Sequence, residues 1–191
     1  TRNGGLIVRD DLRDYEPRSR APLTAAYKGL KIVTMPPPSS GGIALIQLLK
    51  MLEHSGLRET GVNTPVTIDL IFRALPGVYA ARERVSDPDF VDVPVDELLS
   101  NEFIEGLRDQ SWLRRSKRPT EFRPESQTTH LCVIDREGNV VALTESLECM
   151  FGARVVVPGT GILLNDTMHD FDPRPGKTNS VQPGKTPMSS M

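Results

Sequence analysis

A polar run, Gln127-Thr128-Thr129-His130, leads straight into two apolar stretches separated by a glycine turn, and this pattern constrains the C-terminal part of the chain most. The stretches LCVID and VVALTESL flank the turn REGN, so Leu131 to Asp135 and Val140 to Ser146 are expected to form a hairpin about Gly138. Threonine suits a strand start as it stands. It also suits a nucleophile made by cutting the chain. Were the Gln127–Thr128 bond to open, Thr128 would carry a hydroxyl and an α-amino group on one residue. An α-amine with a pKa of roughly 7.7–8.0 is partly neutral near pH 7 and can accept the hydroxyl proton. That arrangement activates an alcohol without a histidine. His130 invites a reading as base, but neighbouring strand residues face opposite sides and Thr128 would bring its own base, so His130 is expected to be structural.

At 191 residues the chain can bury one good-sized core. Its net charge of −2 gives no general attraction to nucleic acid or anionic membranes. With 38% hydrophobic and 25% charged residues it reads as globular rather than disordered. No apolar run approaches the roughly 20 residues needed to span a bilayer. The chain starts at Thr1 inside a recognisable block and is read as a piece of a longer precursor, so its compartment stays open. Cys132 and Cys149 have no CxxC spacing, and Cys132 is expected to be a buried small apolar residue rather than half of a disulfide. His54, His130 and His169 show no ligand spacing, so no metal is expected.

Upstream, Thr24 to Tyr27 and Leu30 to Met35 read as strands around Lys28-Gly29, with the second ended by Pro36-Pro37-Pro38. Ser39 and Ser40 are expected to cap a helix whose apolar positions Ile43, Ile46, Leu49 and Leu52 recur at helical spacing. Thr64 and Pro65 open a second helix, which Pro76-Gly77 is expected to split into pieces at about 65–75 and 78–85. A short helix around 101–110 precedes a basic stretch, 111–127, holding Arg114, Arg115, Lys117, Arg118 and Arg123. It reads as a solvated linker to a processing site, and no nucleic-acid partner is expected. Val155 to Val157 and Gly161 to Leu164 supply further strand-like pieces, giving an α/β class overall.

The blocks GGLIVRDDLRDY, MPPPSSGGIALIQLLKMLE, DPDFV, ESQTTHLCVIDREGNVVALTESL, FGARVVVPGTGILLNDTMHDF and NSVQPGKTPMSSM, in this order, closely resemble the gamma-glutamyltransferase (gamma-glutamyl transpeptidase, glutathione hydrolase) family. The resemblance is weakest over 56–85 and 106–124. It implies an αββα layered sandwich of the N-terminal-nucleophile hydrolase type, incomplete at both ends. Residues 1–127 would be the end of a large subunit and 128–191 the start of a small one, the two remaining associated after autoproteolysis at Gln127-Thr128. The implied activity is hydrolysis or transfer of γ-glutamyl amides such as glutathione, with water, an amino acid or a peptide as acceptor and no cofactor. Such proteins resemble secreted, periplasmic or cytoplasmic bacterial enzymes.

By the same resemblance Thr128 is the nucleophile and Thr129 helps orient its amine. Asp170 binds the substrate α-ammonium, and Ser189 and Ser190 hydrogen-bond its α-carboxylate. Ser146 and Glu148 match the family's Thr-x-Asn positions; Glu148 can attract an ammonium as an ion pair. Thr167 stands where the family has glutamine or glutamate, which puts preference for glutathione itself in doubt. An upstream arginine of the family would precede Thr1, and its oxyanion-hole glycine pair would follow Met191, so the piece alone is expected to be inactive. The loop PPPSSGG and the Asp87-Pro88-Asp89-Phe90 turn are expected to be structural. Two other readings remain: a related amidase, such as a cephalosporin acylase or poly-γ-glutamate processing enzyme, or a non-catalytic homologue fragment.

Overall fold

The computed structural model describes Gly4, residues 6–113 and residues 128–189. Gln127, the basic residues from Arg114 to Arg123, and Ser190 lie outside the described residues.

A short helix α1 (Arg9–Arg13), which the sequence reading did not pick out, is opened by the Asp11 carboxylate accepting the Val8 backbone N–H at 2.8 Å. The expected hairpin follows as β1 (Leu23–Tyr27) and β2 (Leu30–Thr34), with Leu23 opposite Thr34 and Tyr27 opposite Leu30. Both turn residues, Lys28 and Gly29, have positive φ (47° and 82°), the geometry that matches a two-residue turn to the strand twist.

Helix α2 (Gly41–Leu52) begins hard against the end of β2. A Cβ at Gly42 would lie 2.0 Å from the Met35 carbonyl oxygen, so only glycine fits. Ser40 holds the N-cap position but its hydroxyl bonds elsewhere, and Ser39 Oγ accepts from the Gly41 N–H at 3.2 Å instead. Helix α3 (Pro65–Ala81) is capped as expected by Thr64, which accepts from the Thr67 N–H at 3.2 Å. The expected break at Pro76-Gly77 does not occur: the helix runs through both residues and tightens only at a 3-10 turn, Arg82–Arg84. Pro76 lies on the exposed side, where water can serve the carbonyl it leaves unbonded, while buried Ala74, Val78 and Ala81 hold the helix to the core. Gly77 serves contact rather than a break, since a Cβ there would meet Ser111 Oγ at 2.6 Å.

Beyond a one-turn helix α4 (Val95–Leu98), helix α5 (Asn101–Leu113) packs across α3 and extends further than the expected 110, taking the first residues assigned to the linker. Ile43, Met51, Leu52, Ala74, Val78, Val85, Leu98, Ile104 and Leu107 form the core between α2, α3 and α5. Buried Gln47 donates Nε2 to the Leu98 carbonyl at 2.9 Å.

The DPDF turn is structural, and the reason is visible. Asp87, fully buried, accepts from Arg20 Nη2 at 3.1 Å and from the Thr186 N–H at 2.8 Å, tying the N-terminal segment and the C-terminal loop to the helical core. Asp89 accepts from Arg18 and Arg20 beside it. Asp87→Ala strands these donors, and breaking a buried pair from one side costs about 3–5 kcal/mol. The expected result is a denaturation midpoint lowered accordingly in urea; an unchanged midpoint would contradict this role.

Strands β3 (Thr128–Ile134) and β4 (Val140–Ser146) pair antiparallel with Thr128 opposite Ser146 and Ile134 opposite Val140. Among the described residues the two hairpins form separate two-stranded sheets, so the class is α/β with helices and small sheets. Leu131, Val133 and Ile134 are 45–70% exposed, and Cys132, expected to be buried, is exposed too. No described element covers this hairpin closely enough to bury either face, and burial does not follow from strand position alone. Cys132 and Cys149 form no disulfide with each other. The expected strands near 155–157 and 161–164 reduce to one bridge, Val156 with Leu163, flanked by Val157 N–H to Ile162 O (2.8 Å) and Leu164 N–H to Val155 O (2.9 Å). No described helix is long and apolar enough to cross a membrane.

Candidate functional site

Thr128 opens β3 directly opposite Ser146, the last residue of β4, and their hydroxyl oxygens lie 2.9 Å apart. Ser146 Oγ also accepts the Glu148 backbone N–H at 2.9 Å. Glu148 takes a positive φ of 71°, which turns the chain sharply out of the sheet. Two bonds pin the next segment there: the Cys149 N–H to Asp166 Oδ1 at 3.0 Å, and the Asp166 N–H to the Leu147 carbonyl at 3.2 Å. Donation from Cys149 also holds the Asp166 carboxyl below its usual range. The 3-10 turn Thr167–Asp170 then delivers Asp170 to Glu148.

Asp170 and Glu148 are hydrogen-bonded carboxyls, both half-buried. Burial first, then the charge and hydrogen bond of Glu148, push Asp170 up to about 6, while His169 and Arg82 pull the other way. Asp170 therefore keeps its proton to a higher pH than a free aspartate does.

Ser189 is held by its backbone. Its N–H donates to Pro38 O at 3.2 Å, and its carbonyl accepts both the N–H and the hydroxyl of Ser40 at 2.8 Å. PPPSSGG is therefore structural, as expected, and what it positions is Ser189. Asn179, not singled out in the sequence, joins the two poles of the site: Nδ2 donates to Asp170 O at 2.8 Å and Oδ1 accepts from the Met188 N–H at 2.9 Å. Arg82, also missed, ends α3 and donates from Nε to Ser40 Oγ at 2.9 Å. The expected break in α3 hid it, because a continuous helix is what carries Arg82 to this point. Its signal was an arginine one turn after Val78 and two turns after Ala74, at the end of the same apolar stripe.

A cavity of about 740 Å³ opens beside Asp170, lined among others by Tyr79, Arg82, Asn179 and Met188. Thr167 does not line this cavity; its backbone N–H donates to Asn165 Oδ1 at 3.2 Å.

Strand alternation places Thr128, His130 and Cys132 on one face, so the expectation that pleating separates His130 from Thr128 is corrected. His130 is nonetheless engaged: Nδ1 lies 2.8 Å from Thr144 Oγ1 and Nε2 lies 3.2 Å from Cys132 Sγ. Thr129, opposite Glu145, belongs to the other face. Among the described residues no group of three or more His, Cys, Asp or Glu side chains is placed to hold a metal ion.

Comparison with known proteins adds an independent line. The family model for gamma-glutamyltranspeptidase matches residues 1–191. The chain is 38% identical over 208 residues to the glutathione hydrolase proenzyme of Escherichia coli K12, covering 100% of this chain and 36% of that protein. It is 37% identical over 193 residues to the acylase ACY 1 proenzyme of Pseudomonas sp. SE83, covering 99% and 35%. Its structure is similar to the cephalosporin acylase from Bacillus halodurans, with TM-score 0.79 and 26% identity over 100% of this chain and 34% of that one. The Helicobacter pylori gamma-glutamyltranspeptidase aligns with 63% of this chain and 33% of its own, with TM-score 0.53 and 35% identity. The chain thus spans little more than a third of the curated relatives it matches.

Proposed function

The chain belongs to the gamma-glutamyltranspeptidase family, and on that footing we propose that the longer protein hydrolyses or transfers γ-glutamyl amides through Thr128, released at the Gln127–Thr128 bond. The observation that carries this reading is the continuous line from the Thr128 hydroxyl through Ser146 and Glu148 to Asp170. One end can form an ester and the other can bind an ammonium.

In the precursor, Thr128 Oγ attacks the Gln127 carbonyl carbon and the peptide nitrogen leaves, taking up the hydroxyl proton. Water then hydrolyses the resulting ester, giving a Gln127 carboxylate and the Thr128 amine. In the mature protein that amine accepts the Oγ proton as Oγ attacks the γ-carbonyl and passes it to the departing amine. Water or an amino-acid amine then resolves the acyl-enzyme. Ser146 holds the hydroxyl in register, and Thr129 supports the new terminus. Glu148 and Asp170 hold the α-ammonium; Ser189 and Ser190 take the α-carboxylate. No cofactor enters the scheme. The described hairpins and helices would be parts of an αββα sandwich, with residues 1–127 and 128–191 in subunits that stay associated. N-terminal sequencing of the incubated parent protein tests the proposal: a new terminus reading TTHLCV is expected, and an active protein that stays uncut would sink it.

Glu148 and Thr167 favour a second reading, an acylase acting on other amides, and the Pseudomonas and Bacillus halodurans relatives are named as acylases. Competing γ-glutamyl and β-lactam side-chain donors in one assay separates the two.

The raised Asp170 carboxyl fixes a pH dependence. Below about 6 it is protonated and loses its pull on the ammonium, so kcat/KM should fall about tenfold per unit as pH drops through that range. Glu148→Gln removes the neighbouring charge and should move this acid limb to lower pH. A limb that stays in place would show that another group sets it. Stability runs in the opposite sense. An unfolded aspartate releases its proton near 3.8, and folded Asp170 only at about 6, so its contribution is full below the lower value and is lost as pH rises to the higher.

A further inference from the structure

We propose that Asn179 is a positioning residue that sets the handedness of the donor site, by fixing the separation between Asp170 and Ser189. The inference rests on the functional reading above and deepens it. Asn179 hydrogen-bonds to the backbone on both sides of the site and to the carboxyl or hydroxyl of neither. Its Nδ2 donates to the Asp170 carbonyl at 2.8 Å and its Oδ1 accepts the Met188 N–H at 2.9 Å. One planar amide therefore spans from Asp170 to the residue before Ser189, with its donor and its acceptor both used. Among the described residues no other side chain hydrogen-bonds to both segments. Ser40 holds Ser189 and Asp87 holds Thr186, but neither reaches the 3-10 turn that carries Asp170.

The amide is itself held. The Asn179 carbonyl accepts the Asp172 N–H at 2.9 Å, two residues past Asp170. Next to it, buried Ser180 closes the intervening loop: its Oγ donates to the Arg174 carbonyl at 2.6 Å and accepts the Lys177 N–H at 2.7 Å. On the other side, buried Lys185 donates from Nζ to the Thr178 carbonyl at 2.7 Å. Asn179 thus stands where two closed loops meet. Ser189, at the far end, is fixed by its bonds with Pro38 and Ser40, so the tether joins two segments that are already anchored. The α-carbon of a γ-glutamyl donor bears four different groups. Attack by Thr128 fixes the arm that leads to the γ-carbonyl, and the ammonium and the carboxylate must then meet their partners in one order. Inverting the carbon exchanges the two. A misplacement of about 1 Å can cost roughly a hundredfold in rate, so the two hands are told apart only while Asp170 and Ser189 keep their separation.

The test uses the full-length parent protein and the L- and D-γ-glutamyl anilides as donors, and reads the ratio of their kcat/KM values. The wild type should prefer one hand. In Asn179→Ala that ratio should shrink by roughly tenfold, the scale of a lost hydrogen bond. Asn179→Asp keeps the acceptor for the Met188 N–H and loses the donor to Asp170, so its ratio should fall between the two. Equal losses on both hands would mark Asn179 as merely structural and overturn the proposal, as would a wild type that treats the two alike. Should the alanine variant fail to fold, the nearly isosteric Asn179→Asp decides alone, and an undiminished ratio there rejects the assignment. A wild type that turns over neither hand rejects the functional reading and this assignment with it; turnover with an unchanged ratio rejects the assignment only.

Discussion

Thr128→Ala in the full-length parent should give a single uncut chain and reduce γ-glutamyl turnover by at least about 10³-fold, the scale on which loss of a nucleophile registers elsewhere. Two events depend on the one oxygen. Without it the N-to-O shift at Gln127 has no attacking atom, and the acyl-enzyme has nowhere to form. The fold should hardly notice, because Thr128 lies at an exposed strand start where alanine removes a hydroxyl but no packing. Thr128→Ser keeps the oxygen and should retain slow cleavage. Ser146→Ala removes the partner 2.9 Å from that oxygen and the acceptor of the Glu148 N–H, so a smaller loss, roughly tenfold, is expected. Gel mobility, the N-terminal sequence and the rate on a γ-glutamyl anilide read all three variants. Cleavage at a normal rate in Thr128→Ala, or undiminished turnover, would remove Thr128 from the chemistry.

What the sequence disclosed and what it hid divide along physical lines. Local signals transferred well. Lys28-Gly29 and Gly138 set hairpin turns, Thr64-Pro65 opened α3, and the spacing of Ile43 and Ile46 gave α2 its buried face. Errors arose where a distant partner decides the outcome. Pro76 inside α3 is tolerated because its exposed side faces water while Ala74 and Val78 are held by the core, and a helical propensity carries no record of either. Ser40 does stand at the N-cap of α2, but its hydroxyl, expected to cap, bridges Arg82 to the backbone of Ser189, 149 residues away in the chain. Cys132 looked like a core residue because it sits in a strand, yet its hairpin has no covering layer among the described residues. Around the proposed site, the blocks singled out Asp170, Glu148 and Ser146, which the structure brings into one hydrogen-bonded series. The hydrogen bonds of Arg82 and Asn179 were not legible, since they join distant segments with no fixed sequence spacing.

Asp170→Asn should lower kcat/KM for γ-glutamyl donors by roughly 10²–10³-fold, chiefly through KM, as expected when one partner of a partly buried charge pair is removed. The substitution is nearly isosteric, and the Asn179 tether reaches the Asp170 backbone carbonyl rather than its carboxyl, so the site geometry should survive. The loss can then be assigned to charge. Glu148 complicates the account in an informative way. In the wild type burial first, and then the neighbouring Glu148 carboxyl, hold Asp170 up at about 6. With Asp170 replaced by a neutral side chain, the Glu148 carboxyl beside it remains and retains part of the attraction for the ammonium. Asp170→Asn should therefore abolish the acid limb near pH 6 while leaving residual activity, and adding Glu148→Gln should remove much of that residue. The combined loss should exceed the sum of the single losses, because each carboxyl substitutes in part for the other. Rates of the four variants between pH 4.5 and 8 test this. If Asp170→Asn keeps both the wild-type KM and the acid limb, the ammonium is bound elsewhere and the carboxyl pair is structural.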